Sequence, residues 1–228
     1  MNTPFETIII IGCLAMGITA QEPFVVDSCD DGNALSAEGG WWYTYNDNNT
    51  GGNSYVTPPV NGFKMGSPGY GDRGFAAHMK GTAGDKLGWD YIGIGVNLTD
   101  KCGCPEAVPV DISQYSKVRF RMKGTLSGGR LTMLLPYTEN RCDKGANSPA
   151  TLTEWADYEA PLTAILKPDW ILVELDLRKA FHQPRWAKSS TVISIEVVLR
   201  NLKNINFHFS SPDGDSIDLW LDDIEFIR

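Results

Sequence analysis

Eight ring-bearing side chains of this sequence have Gly, Pro or polar neighbours, as expected on a strand face or at its rim. They are Tyr43, Tyr45, Trp89, Tyr91, Tyr137, Tyr158, His182 and Trp186. A pyranose has an apolar face of C–H groups and a rim of hydroxyls, so flat rings with nearby donors and acceptors can bind it. The candidate polar partners are Arg130, Glu139, Asp157 and Gln183. Together these residues predict a saccharide-binding groove.

Packing is the competing interpretation of each ring, because a single Trp or Tyr in a sandwich more often lies in the core or on the sheet surface. Trp42, Trp170 and Trp220 have apolar neighbours, and we assign them to packing. For the four polar candidates, the competing interpretation is that they are solvated surface groups.

Two acidic clusters predict a bound cation. Asp222 stands among large apolar residues near the end of the chain, and a partly buried carboxylate needs a cation or hydrogen-bond donors. Asp30, Asp31 and Asn33 stand near the start of the mature chain, where they could share Ca²⁺ with Asp222. The alternative is that these residues are ordinary turn residues.

The cysteines predict disulfides. Of five cysteines, one lies in the apolar leader, and Cys29, Cys102, Cys104 and Cys142 remain. An even count in an exported chain favours bridges. Because Cys102 and Cys104 nearly adjoin, we expect two long-range bridges from them to Cys29 and Cys142, in either order.

Catalytic motifs are missing from the sequence. A glycoside hydrolase needs two carboxylates across a cleft, and the candidates in one segment are Glu139, Asp143, Glu154, Asp157 and Glu159. Their spacing singles out no pair. The three histidines, His78, His182 and His208, form no metal or nucleophile motif. His78 and His208 lie inside strand patterns, where a half-buried structural imidazole is expected.

Charge and length limit the class of protein. The 228 residues carry a net charge of -8 with no basic run, which argues against nucleic acid or an anionic membrane as the partner. The apolar stretch 8–15 is too short to span a bilayer. Its small-residue end predicts a signal peptide over 1–20 and one domain over 21–228. Residues 11–13 also resemble a lipobox, in which case Cys13 would be a lipid anchor. The expected location is therefore secreted or cell-surface.

Short strand patterns bounded by turn residues recur along the chain. They cover residues 75–79, 91–98, 117–122, 131–137, 171–177, 192–199, 205–209 and 217–221. No sustained helical period competes with them. The prediction is an all-β fold, an antiparallel β-sandwich of jelly-roll type, with its first strand near its last.

The order of several motifs resembles family 11 carbohydrate-binding modules and their galactose-binding-like relatives. The motifs are VDSCDDG at 26–32, GGWWYTYND at 39–47, GWDYIG at 88–93, VRFRMK at 118–123, Trp170 before a strand, and LDDI at 221–224. The resemblance implies a non-catalytic sandwich with structural calcium at Asp30 and Asp222. It also implies a β-glucan cleft with ring positions near Tyr45, Trp89, Tyr158 and His182. Cys29 stands where the relatives have a core Phe, and the closing pair is Asp-Asp instead of Asp-Asn.

The resulting hypothesis is a carbohydrate-binding protein that holds β-glucan chains in an aromatic-lined cleft and acts beside glycoside hydrolases. A hydrolase on the same scaffold and a structural or adhesive surface protein are the alternatives. Residue types do not distinguish glycosidic linkages, because groove shape reads them.

Overall fold

The strands of this protein form two antiparallel sheets. The computed structural model describes residues 22–100, 109–137 and 155–228. The strands are β1 (Phe24–Asp27), β2 (Trp42–Asn46), β3 (Tyr55–Thr57), β4 (Ala77–Thr82), β5 (Asp90–Asn97), β6 (Lys117–Leu126), β7 (Arg130–Leu135), β8 (Tyr158–Pro161), β9 (Ile171–Asp176), β10 (Asn204–Ser211) and β11 (Ser216–Ile227). A single α-helix, α1 (Ile195–Arg200), and three short 3-10 turns at 48–50, 70–72 and 189–191 complete the described elements.

One sheet has six strands and the other has five. The six-stranded sheet runs β3-β4-β11-β6-β9, with β1 also paired to β11, and the five-stranded sheet runs β2-β5-β10-β7-β8. Each sheet buries one phase of its alternating side chains, and the two inner faces meet in one core. Phe120 of β6 meets Phe207 of β10 edge-on across this core, with ring centroids 5.2 Å apart. The predicted antiparallel β-sandwich is confirmed.

The first strand pairs with the last, as the sequence predicts. Phe24 lies opposite Phe226, and the pairing shifts register near Asp27. The β6–β11 ladder also shifts between Asp222 and Glu225, where Asp223 has a φ of 48°. This bulge places Asp222 inside the protein while Asp223 faces solvent.

The prediction of a strand over 192–199 is wrong, because α1 forms within that segment. Ser194 caps the helix by accepting the Glu196 N–H on its side chain, and Arg200 lies in the last turn. Val198 and Leu199 are the buried residues of the helix. Capping and the charges at both ends outweigh the β-branched content of the segment.

Trp170 and Trp220 are not core residues, contrary to their assignment to packing. Both are partly exposed on the outer face of the six-stranded sheet, with Lys123 Nζ 4.7 Å and 4.9 Å from their ring centroids. His78 stacks on Trp220 at 3.8 Å. Trp220 shares the outward phase of β11 with Asp218, while Leu219 and Leu221 are buried. Trp42 alone of the three is buried.

The predicted disulfide at Cys29 is also corrected. Cys29 is a free, fully buried cysteine whose Sγ lies 4.0 Å from the Leu221 carbonyl oxygen. Its thiol packs as a small apolar group under the β1–β11 pair, and burial raises its pKa well above the ordinary value. Cys13, Cys102, Cys104 and Cys142, like the proposed signal segment, lie outside the described residues.

The described segments include no helix long and apolar enough to cross a membrane.

Candidate functional site

The outer face of the five-stranded sheet carries most of the predicted rings. Tyr43 and Tyr45 come from β2 and Tyr91 from β5, and all three are partly exposed. Cross-strand register sets Tyr45 beside Gly93 and His208, and Tyr43 beside Gly95 and Asn206. Period-two alternation puts these side chains on one face because Trp42, Thr44, Ile92 and Ile94 take the inner one.

Tyr43 and Tyr45 lie flat across the neighbouring strand. A Cβ at Gly93 would collide with Cζ of Tyr45, and a Cβ at Gly95 would collide with Tyr43 and with Asn206 Oδ1. The two glycines of β5 therefore create the space in which the rings rest. A ring lying on the sheet turns its opposite face outward.

Hydrogen bonds to β10 hold both rings in this position. The Tyr43 hydroxyl donates to Asn206 Oδ1 at 2.7 Å and accepts from Asn204 Nδ2 at 2.6 Å. The Tyr45 hydroxyl lies 3.2 Å from His208 Nδ1. Burial raises the pKa of both tyrosines well above the ordinary value, so both remain protonated. Burial and the Arg130 charge lower the pKa of His208 to about 4, so its imidazole is neutral near pH 7.

The rings form a continuous aromatic path, which we call the tyrosine face: Trp89, Tyr91, His208, Tyr45 and Tyr43. Trp89 stacks on Tyr91 at 6.1 Å with an interplanar angle of 21°. Tyr91 lies 5.1 Å from His208, and Tyr45 lies 6.2 Å from Tyr43. Trp89 is 54% exposed, so one end of the path is open to solvent.

Two buried carboxylates position the open end. Asp90 accepts the backbone N–H groups of Lys86, Leu87 and Gly88 at 3.2, 2.7 and 3.0 Å. Burial alone would raise the pKa of Asp90, but these donors lower it below the ordinary value. Asp47 accepts the Tyr91 N–H at 3.0 Å and the Ser54 hydroxyl at 2.6 Å.

An ion pair lies on the other side of His208, toward the β8 edge. Arg130 of β7 donates to Glu159 of β8. His182 forms an isolated antiparallel bridge with Glu159, which extends the sheet by one position. His182 is exposed, whereas the adjacent Phe181 is buried in the core.

Several predicted site residues have other positions. Tyr137 is 9% exposed within the core, and the buried Asp157 accepts the Tyr137 N–H at 3.5 Å. Tyr158 packs against the core and donates to the Ile193 carbonyl, since it shares the inward phase of β8 with Ala160. The Gln183 side chain joins the 155–157 and 191–193 segments through Ala156, Thr191 and Ile193. Trp186 is exposed on a loop, and Glu139 lies outside the described residues.

Four residues of this face are absent from the sequence-based site: His208, Asn204, Asn206 and Glu159. The first three occupy alternate positions of β10, with Ile205, Phe207 and Phe209 fully buried between or beside them. That alternation was visible in the sequence, but it does not show which strands lie on either side of β10. The ring neighbours of His208 come from β2 and β5, far away along the chain.

The predicted calcium ligands fit a cation only in part. Asp222 is 3% exposed, and burial raises its pKa to about 6, with Asp223 and Asp30 adding to the rise through their charge. Its oxygens accept the N–H groups of Tyr70 and Asp223 at 2.8 and 2.9 Å. Asp31 and Asn33 instead bond each other within their turn. Within residues 22–100, 109–137 and 155–228, no three His, Cys, Asp or Glu side chains are grouped to hold a metal.

Of the five carboxylates considered for hydrolysis, the structure describes Asp157 and Glu159, and these two do not form a pair across this face. Asp157 is buried and Glu159 is engaged with Arg130. Glu139, Asp143 and Glu154 lie outside the described residues.

The two sheets define a β-sandwich with the fold of carbohydrate-binding modules. The structure is similar to the family 11 carbohydrate-binding module of the cellulosomal cellulase Lic26A-Cel5E of Clostridium thermocellum. The TM-score is 0.56 at 17% identity, over 92% of this chain and 96% of that chain. A family 11 module from Clostridium thermocellum in complex with a β-1,3-1,4-mixed-linked tetrasaccharide gives 0.55 at 17% identity, over 92% and 97%. A family 30 carbohydrate-binding module gives 0.55 at 11% identity, over 90% and 87%.

These similarities confirm the predicted resemblance to family 11 modules at the level of the fold. No protein-family model matches the sequence. Endoglucanase 3 of Fibrobacter succinogenes is 40% identical over 78 residues, which are 32% of this chain and 12% of that protein. The match thus spans only a small part of the endoglucanase.

Proposed function

We propose that this protein is a non-catalytic carbohydrate-binding protein that holds β-glucan chains against the tyrosine face. The observation that carries the proposal is the flat placement of Tyr43 and Tyr45 over Gly95 and Gly93. Flat rings held in advance lose little conformational entropy when a sugar stacks on them. Polar groups beside the rings supply hydroxyl recognition.

The choice of β-glucan is supported by the similar structures. One of them is a family 11 module in complex with a mixed-linked β-1,3-1,4 tetrasaccharide. A neutral chain also suits this face, because its charged pair, Arg130 and Glu159, is internally compensated. An acidic protein with a net charge of -8 has no electrostatic preference for anionic polysaccharides.

Affinity electrophoresis in gels containing mixed-linkage β-glucan, xyloglucan or mannan tests this function. We expect retardation by at least one β-glucan, and about a tenfold or greater loss of affinity in Tyr45→Ala, because a stacking ring is removed. Tyr55→Ala is the matched control, since Tyr55 is 67% exposed on β3 of the other sheet. Migration unchanged by every glucan would reject the proposal and favour the adhesive alternative.

Export and attachment complete the proposal. We propose that residues 1–20 direct secretion and that the mature protein works outside the cell or at its surface, beside glycoside hydrolases. Support comes from the apolar leader and from the fold shared with a module of a cellulosomal cellulase. Lipid attachment at Cys13 is the alternative mode of retention, and metabolic labelling with a fatty acid distinguishes the two.

We also propose that Ca²⁺ lies near Asp222, with Asp30 as the second carboxylate. The support is the burial of Asp222, which raises its pKa to about 6, and the charges of Asp223 and Asp30, which add to the rise.

A further inference from the structure

We propose that β10 supplies the hydrogen-bond donors of this face, with His208 Nε2 and Asn206 Nδ2 donating to the saccharide while Tyr43 and Tyr45 contribute their ring faces. This inference rests on the proposed function and names the residues that determine its specificity. It assigns a ligand role to two side chains that have only structural contacts so far.

The tyrosine hydroxyls are already engaged. A phenol has one hydrogen to donate, and that of Tyr43 goes to Asn206 Oδ1 while Asn204 donates back to the same hydroxyl. The Tyr45 hydroxyl has His208 Nδ1 as its only hydrogen-bond partner in the described part of the chain. Neither hydroxyl can therefore donate to a sugar without giving up the contact that holds its ring flat.

The contact with Tyr45 is the basis for assigning the tautomer of His208. Since Tyr45 has no other acceptor among the described residues, we assign its O–H as the donor to Nδ1, which places the ring proton of the neutral imidazole on Nε2. Within the described ranges, Nε2 has no hydrogen-bond partner, yet no buried side-chain nitrogen or oxygen lacks one. His208 Nε2 is therefore accessible, and it presents an N–H donor.

Asn206 has a similar arrangement. Its Oδ1 receives the Tyr43 hydroxyl and the Asn204 amide at 2.7 and 3.3 Å. Both hydrogens of Asn206 Nδ2 remain for a ligand, since the described residues offer that nitrogen no acceptor and it is not a buried unpaired atom. Asn206 and His208 are two positions apart on one strand, so their Cα atoms are separated by about 6.8 Å.

The geometry therefore assigns stacking and hydrogen bonding to two different strands. Strand β2 supplies stacking surfaces over the glycines of β5, and β10 supplies donors beside the edges of those rings. A saccharide lying on Tyr45 and Tyr43 has its rim of hydroxyls next to the two β10 side chains. Recognition of hydroxyl positions, and hence of linkage, follows from this row of donors.

Calorimetric titration with the β-1,3-1,4-linked tetrasaccharide tests these separate roles of β2 and β10. We expect His208→Ala and Asn206→Ala each to lower affinity about tenfold, and Tyr45→Phe only about two- to threefold, because the ring remains. His208→Gln, which keeps an N–H donor, should recover part of the loss. His78→Ala is the matched control, since His78 lies on the outer face of the other sheet against Trp220.

Singly deoxygenated tetrasaccharides separate direct contact from a structural role. One deoxy position should weaken binding to the wild-type protein and have no further effect in His208→Ala. This coupling would not arise if His208 only supported Tyr45. Unchanged affinity in both His208→Ala and Asn206→Ala, with binding lost in Tyr45→Ala, would overturn the inference and leave the proposed function intact. Absence of tetrasaccharide and glucan binding by the wild-type protein would overturn both.

If His208→Ala does not fold, His208→Gln and the deoxy series on the wild-type protein carry the same test. A deoxy series in which every position behaves alike would then contradict the inference.

Discussion

Gly93 and Gly95 make room for the tyrosine rings because they have no side chains. Each lies on the outward face of β5, where any side chain would occupy the space taken by a tyrosine of β2. Glycine in a strand interior weakens the strand, so its presence at two alternate positions indicates a close approach. Here the close approach is between a strand backbone and an aromatic ring, which is thereby available to a flat ligand.

Gly93→Ala should therefore weaken glucan binding about tenfold by displacing the Tyr45 ring while the sandwich still folds. Calorimetric titration measures the loss, and circular dichroism checks the fold. In a Tyr45→Ala background the same substitution should have no further effect on affinity, because the displaced ring is already gone. Additive losses in the double variant would show that Gly93 acts by another route.

His208 makes the stability of the protein depend on pH. Its pKa is about 4 in the folded state and about 6.5 when unfolded, so the unfolded state binds more protons between these values. The free energy of unfolding should fall as pH is lowered from about 6.5 to 4, by up to about 3 kcal/mol from this group.

Urea unfolding of wild-type protein and His208→Gln at several pH values measures this contribution. The variant should lose less stability on acidification than the wild type. A pH dependence that is identical in the two proteins would contradict the assignment of a neutral, partly buried imidazole.

At the scale of elements, the loop before β5 determines where Trp89 lies. Asp90 collects three consecutive N–H groups, and β5 begins at the same residue. The Asp90 carboxylate thus fixes the path of residues 86–88 relative to the first residue of β5. The rest of the face is held by ladders, whereas the loop that carries Trp89 is held by the Asp90 side chain.

Asp90→Ala should loosen residues 86–88 and lower glucan affinity about two- to fivefold, less than Trp89→Ala, because the ring is still present but less well oriented. Asp85→Ala is the control, since Asp85 is exposed in the same loop and, among the described residues, its hydrogen bonds are with Asn53. Calorimetric titration compares the three variants. An affinity in Asp90→Ala equal to that of the wild type would show that the loop needs no such support.

At the scale of the whole molecule, β11 joins the first described strand to both parts of the six-stranded sheet. It pairs with β1, β4 and β6 along its twelve residues. Asp222 lies at the bulge between these pairings, so neutralising its charge affects the closure of the fold. The tyrosine face lies on the opposite layer and is not part of this closure.

Calcium should therefore stabilise the protein without being required at the tyrosine face. Excess Ca²⁺ at about one hundred times its dissociation constant should add about 2.7 kcal/mol of stability to the wild-type protein. Asp222→Asn should lose this response. In chelator near pH 7 the variant should be at least as stable as the wild type, because burial of the ionised Asp222 is unfavourable above its pKa of about 6.

Thermal unfolding with Ca²⁺ and with chelator measures both effects. The direction of the pH dependence follows from the raised pKa of Asp222. In chelator, the contribution of Asp222 to stability declines as pH rises from about 4 to 6. A wild-type protein indifferent to Ca²⁺ would contradict the proposed cation site.

The amino-acid sequence by itself determined the class of fold, because period-two burial and turn residues are local signals that each strand carries in its own residues. It also indicated Tyr43, Tyr45, Trp89 and Tyr91 as surface rings, because their sequence neighbours are polar residues and glycines. Two of our assignments from the sequence were wrong. We placed Tyr158 in the groove and Trp220 in the core, although the alternation in β8 turns Tyr158 inward and the alternation in β11 turns Trp220 outward.

Tertiary structure alone decided which strands lie side by side, since pairing joins residues that are distant along the chain. The bonds from Tyr45 to His208 and from Tyr43 to Asn206 each span 163 positions. The same holds for the glycines beneath the rings, because the space at Gly93 becomes a site for Tyr45 only when β2 is the neighbour of β5. Local residue patterns encode burial, whereas sheet order and register bring these donors and rings together.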